Sequence, residues 1–315
     1  MCIRDSSGLE AVFFCNSGLE ANECAIKIAR KFGHAKGIEV PSIIVLKHAF
    51  HGRSIATLSA TGNPSVRADF SPYTEGFIFV DESDLDGIRK IVEENKNVVA
   101  IFFEPILGEG GVVPIDLSVI KGIREICDEH DLLMMCDEVQ CGMGRSGKWF
   151  AHQWAEIKPD VITMAKGLAG GVPVGAVIVS EKANIFKPGN HGSTFGGNPL
   201  AMRAALETLS IIEDEKLVEN ALEVGKKLKK ALSKSLNGFP GVRGIRGKGL
   251  MLGIVLDRDA HDILELGLKA GLTFSVTAGN VIRLVPALTI TEAEADELVK
   301  RITPVIRSFL AQPKI

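Results

Sequence analysis

The chain has 315 residues, 46% of them hydrophobic and 24% charged, with a formal net charge of -3. That length accommodates one large domain and a smaller one around a sizeable core. The near-balanced charge gives no reason to expect nucleic acid or an anionic membrane as partner, and no apolar run approaches the roughly 20 residues that span a bilayer.

Six cysteines (Cys2, Cys15, Cys24, Cys127, Cys136, Cys141) are irregularly spaced without a CxxC, several inside apolar runs. This reads as reduced core thiols of a cytoplasmic protein, not a disulfide framework or metal site. No signal-peptide core follows Met1. Residues 1–10 lack capping or periodic logic and are expected to be a non-native or disordered leader on an N-terminally shortened chain.

Ala11–Phe14 reads as a strand and Cys15–Gly18 as a turn. Leu19–Phe32 carries Ala21, Ala25, Ile28, Ala29 and Phe32 at helical spacing. A Ser-Gly turn opening a helix offers free N–H groups to a phosphate, or is simply capped by Asn16 or Ser17. The next strand, Ile43–Phe50, ends in Phe50-His51-Gly52-Arg53. Such an aromatic and arginine can stack on a flat cofactor and grip a carboxylate, or be a core Phe beside a surface Arg. Strands are predicted at Gly76–Val80 and Val98–Pro105, with a helix at Leu85–Glu94 between them.

Glu104 and Glu109 then stand five apart in an apolar, glycine-rich setting unusual for a surface loop. A helix at Leu117–His130 precedes the strand Leu132–Cys136, which runs into Asp137. An aspartate after five apolar residues should be semi-buried and needs a cationic partner. Either a pyridinium nitrogen or a structural arginine would serve. Gly142–Gly147 spells GxGxxG, but no helical period follows, so the dinucleotide reading is rejected. The strand Val161–Lys166 ends on a lysine followed by a glycine-rich stretch. Burial there would lower the pKa of the amine and suit it to a Schiff base with an aldehyde such as pyridoxal phosphate, unless the ammonium simply sits in water. Val174–Ser180 is a further strand, and the polar loop His191–Pro199 precedes a helix at Leu200–Glu213.

Alternating strands and helices imply an α/β domain with a mostly parallel sheet over residues 11–213. Phe50, Glu104, Asp137 and Lys166 all fall at predicted strand ends, where the sites of such sheets gather. Residues 214–315 read as a smaller α+β domain. It has a helix at Lys216–Leu236, short strands at Gly249–Leu256 and Val281–Val285 around a helix at Ala260–Ala270, and a capping box at Thr291–Glu294 opening a last helix that Pro304 should bend. Arg283 is its one functional suspect.

Taken together, these segments resemble the class III, pyridoxal-phosphate-dependent aminotransferases, most closely the acetylornithine group, from about Ala11 to about Phe309. The resemblance rests on Phe14–Gly18, Ala49–Arg53, Glu104–Gly111, Asp137–Gln140, Lys166 and His191–Pro199. It implies a fold-type-I large domain with a seven-stranded sheet. It also implies that Lys166 binds the cofactor and moves the proton, and that Asp137 pairs with the pyridine nitrogen. Gln140 would meet the ring hydroxyl, Phe50 cover the ring, and Ser17, Gly18 and Leu19 hold the phosphate. Thr194 from a neighbouring subunit would complete that phosphate site, implying a homodimer. Arg53, Glu104, Glu109, Ser193 and Arg283 would form the substrate side. Arg53 would grip the distal carboxylate, and Arg283 would be masked by Glu109 until glutamate's α-carboxylate needs it. No metal is expected.

The implied reaction is N-acetylornithine plus 2-oxoglutarate to N-acetylglutamate semialdehyde plus glutamate, a step of arginine biosynthesis. Leu19 stands where the family often has Ala, and His51 resembles the acetylornithine group more than the ornithine aminotransferases. The alternatives are succinylornithine, ornithine or 4-aminobutyrate as amine donor, or a non-catalytic cofactor-binding regulator or inactive fragment.

Overall fold

The structure, a computed structural model, describes residues 8–313. Its larger sheet has seven strands in the order β1 (Ala11–Cys15), β9 (Gly175–Val179), β8 (Val161–Met164), β7 (Leu133–Asp137), β4 (Val98–Phe103), β2 (Ser42–Leu46) and β3 (Phe77–Val80). Strand β9 pairs antiparallel with both β1 and β8, and the other ladders are parallel. Strand β1 thus runs with the parallel set, and its C-terminal end lies on the same edge as theirs.

The central strands are apolar without interruption because both faces are covered. Ile43, Val45, Ala100, Phe102 and Met135 belong to the core shared with helix α1 (Gly18–Ala35). Their neighbours Ile44, Leu46, Ile101, Phe103, Met134 and Cys136 face α4 (Leu85–Glu94) and α5 (Leu117–Glu129). This is the two-residue period of a strand feeding two layers. Each fully buried side chain of Phe or Ile size contributes roughly 1.5–3 kcal/mol.

Beyond α6 (Pro199–Asp214), the chain builds a four-stranded antiparallel sheet. Its order is β10 (Val242–Lys248), β11 (Met251–Leu256), β13 (Val281–Leu284) and β12 (Ser275–Thr277). Helices α7 (Leu217–Leu236), α8 (Ile263–Lys269) and α9 (Glu292–Ala311) share its apolar core. On α7 the buried stripe is Leu217, Ala221, Val224, Leu228, Leu232 and Leu236, with Val218 and Leu222 only partly covered. The Thr291–Glu294 capping box forms, with bonds of 3.2 and 2.8 Å, and Pro304 sits inside the continuous helix α9.

Several expected boundaries shift. Of the leader expected over residues 1–10, 1–7 lie outside the described residues, but Leu9 is buried and Glu10 N donates to Val179 O at 2.9 Å. That part extends the β1 edge because it supplies both a core side chain and a ladder bond. The strand expected at Ile43–Phe50 ends at Leu46, and Phe50 lies in the loop beyond it. Two short helices, α2 (Ile55–Ala60) and α3 (Pro64–Arg67), and a hairpin of β5 (Ile106–Leu107) and β6 (Val113–Pro114) were not anticipated.

Candidate active site

The loops after β1, β2, β4, β7 and β8 converge on one cavity of about 510 Å³. Ser17, Gly18, Leu19, Phe50, Arg53, Glu104, Asp137, Gln140 and Lys166 all line it.

Asp137, the last residue of β7, is almost wholly buried. Its Oδ1 accepts from Val139 N at 3.0 Å, and its Oδ2 accepts from Asn22 Nδ2 at 2.7 Å. His51 Nδ1 lies 2.8 Å from the same Oδ2. The cationic partner expected for Asp137 is therefore not an arginine; amide donors and a histidine surround it. His51 stacks on Phe102 at 4.1 Å between ring centroids. Its Nε2 and the Oδ1 of Asn22 are buried with no partner among the described residues. Asn22 and His51 were not proposed as site residues from the sequence. The available signal was a polar residue at position 22, next to Ala21 on the buried face of α1.

Glu104 is buried, its Oε2 accepting from Phe50 N at 2.9 Å and its Oε1 from Gly108 N at 3.1 Å. Burial pushes its pKa up to about 8, with the Asp137 charge adding to the rise and the two N–H bonds opposing it.

Lys166 differs from its expected setting. Strand β8 ends at Met164, and Lys166 opens a short 3-10 turn with φ of +43°, exposed at the cavity wall. An L-residue in the left-handed region is strained by about 1–3 kcal/mol, a condition that clusters at functional sites.

At the opposite side, Ser17 Oγ caps α1 by accepting from Glu20 N at 3.2 Å, and Asn16 N donates to Glu20 Oε2 at 2.9 Å. The capping alternative for Ser17 is thus realised, while the first helical N–H groups at Gly18 and Leu19 have no acceptor within the helix. Gly18 permits this approach: a Cβ there would lie 2.6 Å from Val139 Cγ1.

Arg53 stands at the exposed mouth, 5.8 Å from the Phe50 ring centroid. Glu109 and Arg283 lie outside the cavity lining but form an ion pair of 2.6 Å. Gln140 joins them to the cavity, its Oε1 accepting from Arg283 Nη1 at 3.0 Å. Gly108 leaves room for that amide, since a Cβ there would lie 2.0 Å from Gln140 Oε1. Ser193 reaches the site through Asn16, whose Nδ2 donates to its Oγ at 3.0 Å. Thr194 is not brought in; it is exposed and does not line the cavity. Among the described residues no group of three His, Cys, Asp or Glu is placed to hold a metal ion, and no helix is long and apolar enough to cross a membrane.

A seven-stranded, mostly parallel sheet with these groups at one edge has the architecture of the fold-type-I pyridoxal-phosphate enzymes. Residues 2–306 match the family Aminotransferase class-III. The acetylornithine aminotransferase of Nitrosomonas europaea is 49% identical over 305 residues, which cover 96% of this chain and 78% of that protein. The solved ornithine aminotransferase of Toxoplasma gondii superposes with a TM-score of 0.93 at 34% identity, covering 98% of this chain and 75% of that one. The N-acetylornithine aminotransferase of Stenotrophomonas maltophilia superposes with a TM-score of 0.82 at 35% identity, covering 98% and 78% respectively. The chain belongs to the class-III aminotransferases, pyridoxal-phosphate-dependent enzymes.

The residues present fit that cofactor. The cavity has room for it, a buried carboxylate stands at its base, a lysine amine is on its wall, and free helix N–H groups lie where a phosphate would sit.

Proposed function

We propose that the chain transfers the ω-amino group of N-acetylornithine to 2-oxoglutarate, giving N-acetylglutamate semialdehyde and glutamate, as a step of arginine biosynthesis. The observation that carries this reading is the Glu109–Arg283 pair joined through Gln140 to the cavity. An enzyme that accepts in turn an amine without a neighbouring carboxylate and one with it needs an arginine that can be masked and released. The relationship to acetylornithine aminotransferases supports the choice of donor.

Pyridoxal 5'-phosphate supplies a carbonyl for amine exchange and a ring that withdraws electrons from the reacting carbon. Asp137 would hold the proton on the ring nitrogen, with its carboxylate fixed in place by Asn22 and His51. The N–H groups of Gly18 and Leu19 would hold the phosphate, and Phe50 would cover the ring. Lys166 Nζ would move the proton between the substrate carbon bearing the amine and the cofactor's carbonyl carbon. Arg53 binds the distal carboxylate of either substrate. Arg283, freed from Glu109, binds glutamate's α-carboxylate through a bidentate fork.

The exposed position of Thr194, followed in the chain by the exposed apolar side chains Phe195 and Leu200, supports a homodimer in which Thr194 completes the partner's phosphate site. Among the described residues, five free, buried thiols suit the reducing cytoplasm.

The test is the visible spectrum of the cofactor-loaded chain. Addition of N-acetylornithine should bleach the yellow band, whereas ornithine and 4-aminobutyrate should act far more slowly. Lys166→Ala should lose turnover by several orders of magnitude while still binding the cofactor through its phosphate. Bleaching mainly by another amine would change the donor, and substantial turnover in Lys166→Ala would sink the mechanism.

A further inference from the structure

The Gly142–Gly147 loop, whose spacing mimics a dinucleotide fingerprint, is built of close approaches to the C-terminal sheet and its helices. Gly147 has a φ of +87°, and a Cβ there would lie 3.0 Å from Leu222 Cβ on α7. From the other side Gly249 presses on the loop, where a Cβ would lie 2.6 Å from Arg145 O. Arg145 continues this contact: its carbonyl accepts from Leu250 N at 3.0 Å. Its Nη1 donates to Leu250 O at 3.3 Å and also to Pro286 O.

These two carbonyls flank one end of a ladder. Leu250 precedes β11 and Pro286 follows β13, and Leu252 pairs with Leu284 while Gly253 pairs with Arg283. One guanidinium therefore grips both strands just beyond the residue pair that carries Arg283. Among the described residues no carboxylate touches it, and burial lowers its pKa to about 10. A desolvated cation without a counter-ion is a weak device for stability. Both bonds come from Nη1 alone, whose two N–H groups are held in the fixed plane of the guanidinium, an orientation that a freely rotating lysine ammonium lacks. Arg145, Gln140, Lys166 and Arg283 also line one pocket of about 220 Å³, so the gripped ladder end faces the amine.

We propose that Arg145 is a positioning residue for the dicarboxylate half of the reaction. It bolts the β11/β13 ladder to the loop that follows Asp137 and so fixes Arg283 across the small pocket from Lys166. This rests on the transaminase reading given above. In the half-reaction with the ω-amine donor, Arg283 is masked by Glu109 and meets no carboxylate, so the placement of Arg283 has little effect there. With 2-oxoglutarate or glutamate it decides how well the α-carboxylate is held.

The experiment compares the cofactor-loaded chain with R145Q and R145K in the two half-reactions separately. R145Q should raise the KM for 2-oxoglutarate about tenfold, while the KM for N-acetylornithine stays within about twofold. R145K should lie between, because it keeps a cationic donor on a shorter stem but loses the fixed plane that aims both N–H groups of Nη1. Equal losses in both half-reactions, or no change in either, would overturn the proposal. A second readout does not depend on turnover: calorimetric titration of glutarate, an unreactive dicarboxylate, into the cofactor-free chain should show binding about tenfold weaker in R145Q, and unchanged binding overturns the proposal. If no amine donor reacts with the unaltered chain, the transaminase reading fails, and the glutarate titration still decides the role of Arg145.

Discussion

Asp137 receives neutral donors from Asn22 and Val139, and His51 Nδ1 lies against the oxygen that Asn22 also reaches. An aspartate after an apolar run was legible in the sequence as a residue needing a partner. Which partners it has was not, because Asn22 and His51 lie 115 and 86 positions away. Glu104 offers a test by pH. Its folded pKa, near 8, is raised above the ordinary carboxylate value of 4.5. Between those values the unfolded chain has lost a proton that the folded one keeps, so this group favours folding less as pH rises. Stability of the cofactor-free chain should fall through this window, and Glu104→Gln should flatten the slope in denaturant titrations at pH 5 to 8. An unchanged slope would assign the buried proton elsewhere. The Glu109–Arg283 pair offers a second. Glu109→Ala should favour glutamate over the ω-amine donor by about tenfold or more in the ratio of kcat/KM values, since the unmasked cation meets no carboxylate on the donor. Equal changes in both half-reactions would remove the charge switch.

At the scale of elements, uninterrupted apolar runs and helical stripes are strong signals, so β4, β7, α1, α4 and α5 were legible within a few residues. Strand β10 was not. Arg243, Arg246 and Lys248 interrupt it, and it is a strand because its backbone pairs with β11. Strand β12 has three residues and exists only as the edge partner of β13. The antiparallel direction of β9 is equally silent in the sequence, since a buried strand has the same composition in either direction. Packing between elements gives a sharp prediction at Gly225 on α7, where a Cβ would lie 2.2 Å from Gly249 O. Gly225→Ala gains helix propensity but must push the β10–β11 turn aside. The net effect should be a loss of about 1–3 kcal/mol, read as a lower denaturant midpoint. A midpoint at or above that of the unaltered chain would show that the turn yields freely.

At the scale of the whole molecule, the exposed apolar residues Phe195 and Leu200 that follow Thr194 motivate the proposed dimer. Phe195→Asp combined with Leu200→Lys should convert it to a monomer in sedimentation and weaken cofactor binding by at least about tenfold, because the partner's Thr194 is lost from each phosphate site. A dimer that persists, or a monomer with unchanged cofactor affinity, would remove that role for Thr194. The sequence by itself determined the α/β class, most helices and central strands, and the kinds of residue at strand ends that the site uses, because side-chain period and chemistry are local properties. Only the tertiary structure decided that Lys166 stands exposed in a left-handed turn, that Asn22 and His51 support Asp137, and that Arg145 ties the loop after β7 to the strand carrying Arg283. Those outcomes depend on which distant backbone groups come within hydrogen-bonding reach, and that is set by the packing of the two sheets and their helices.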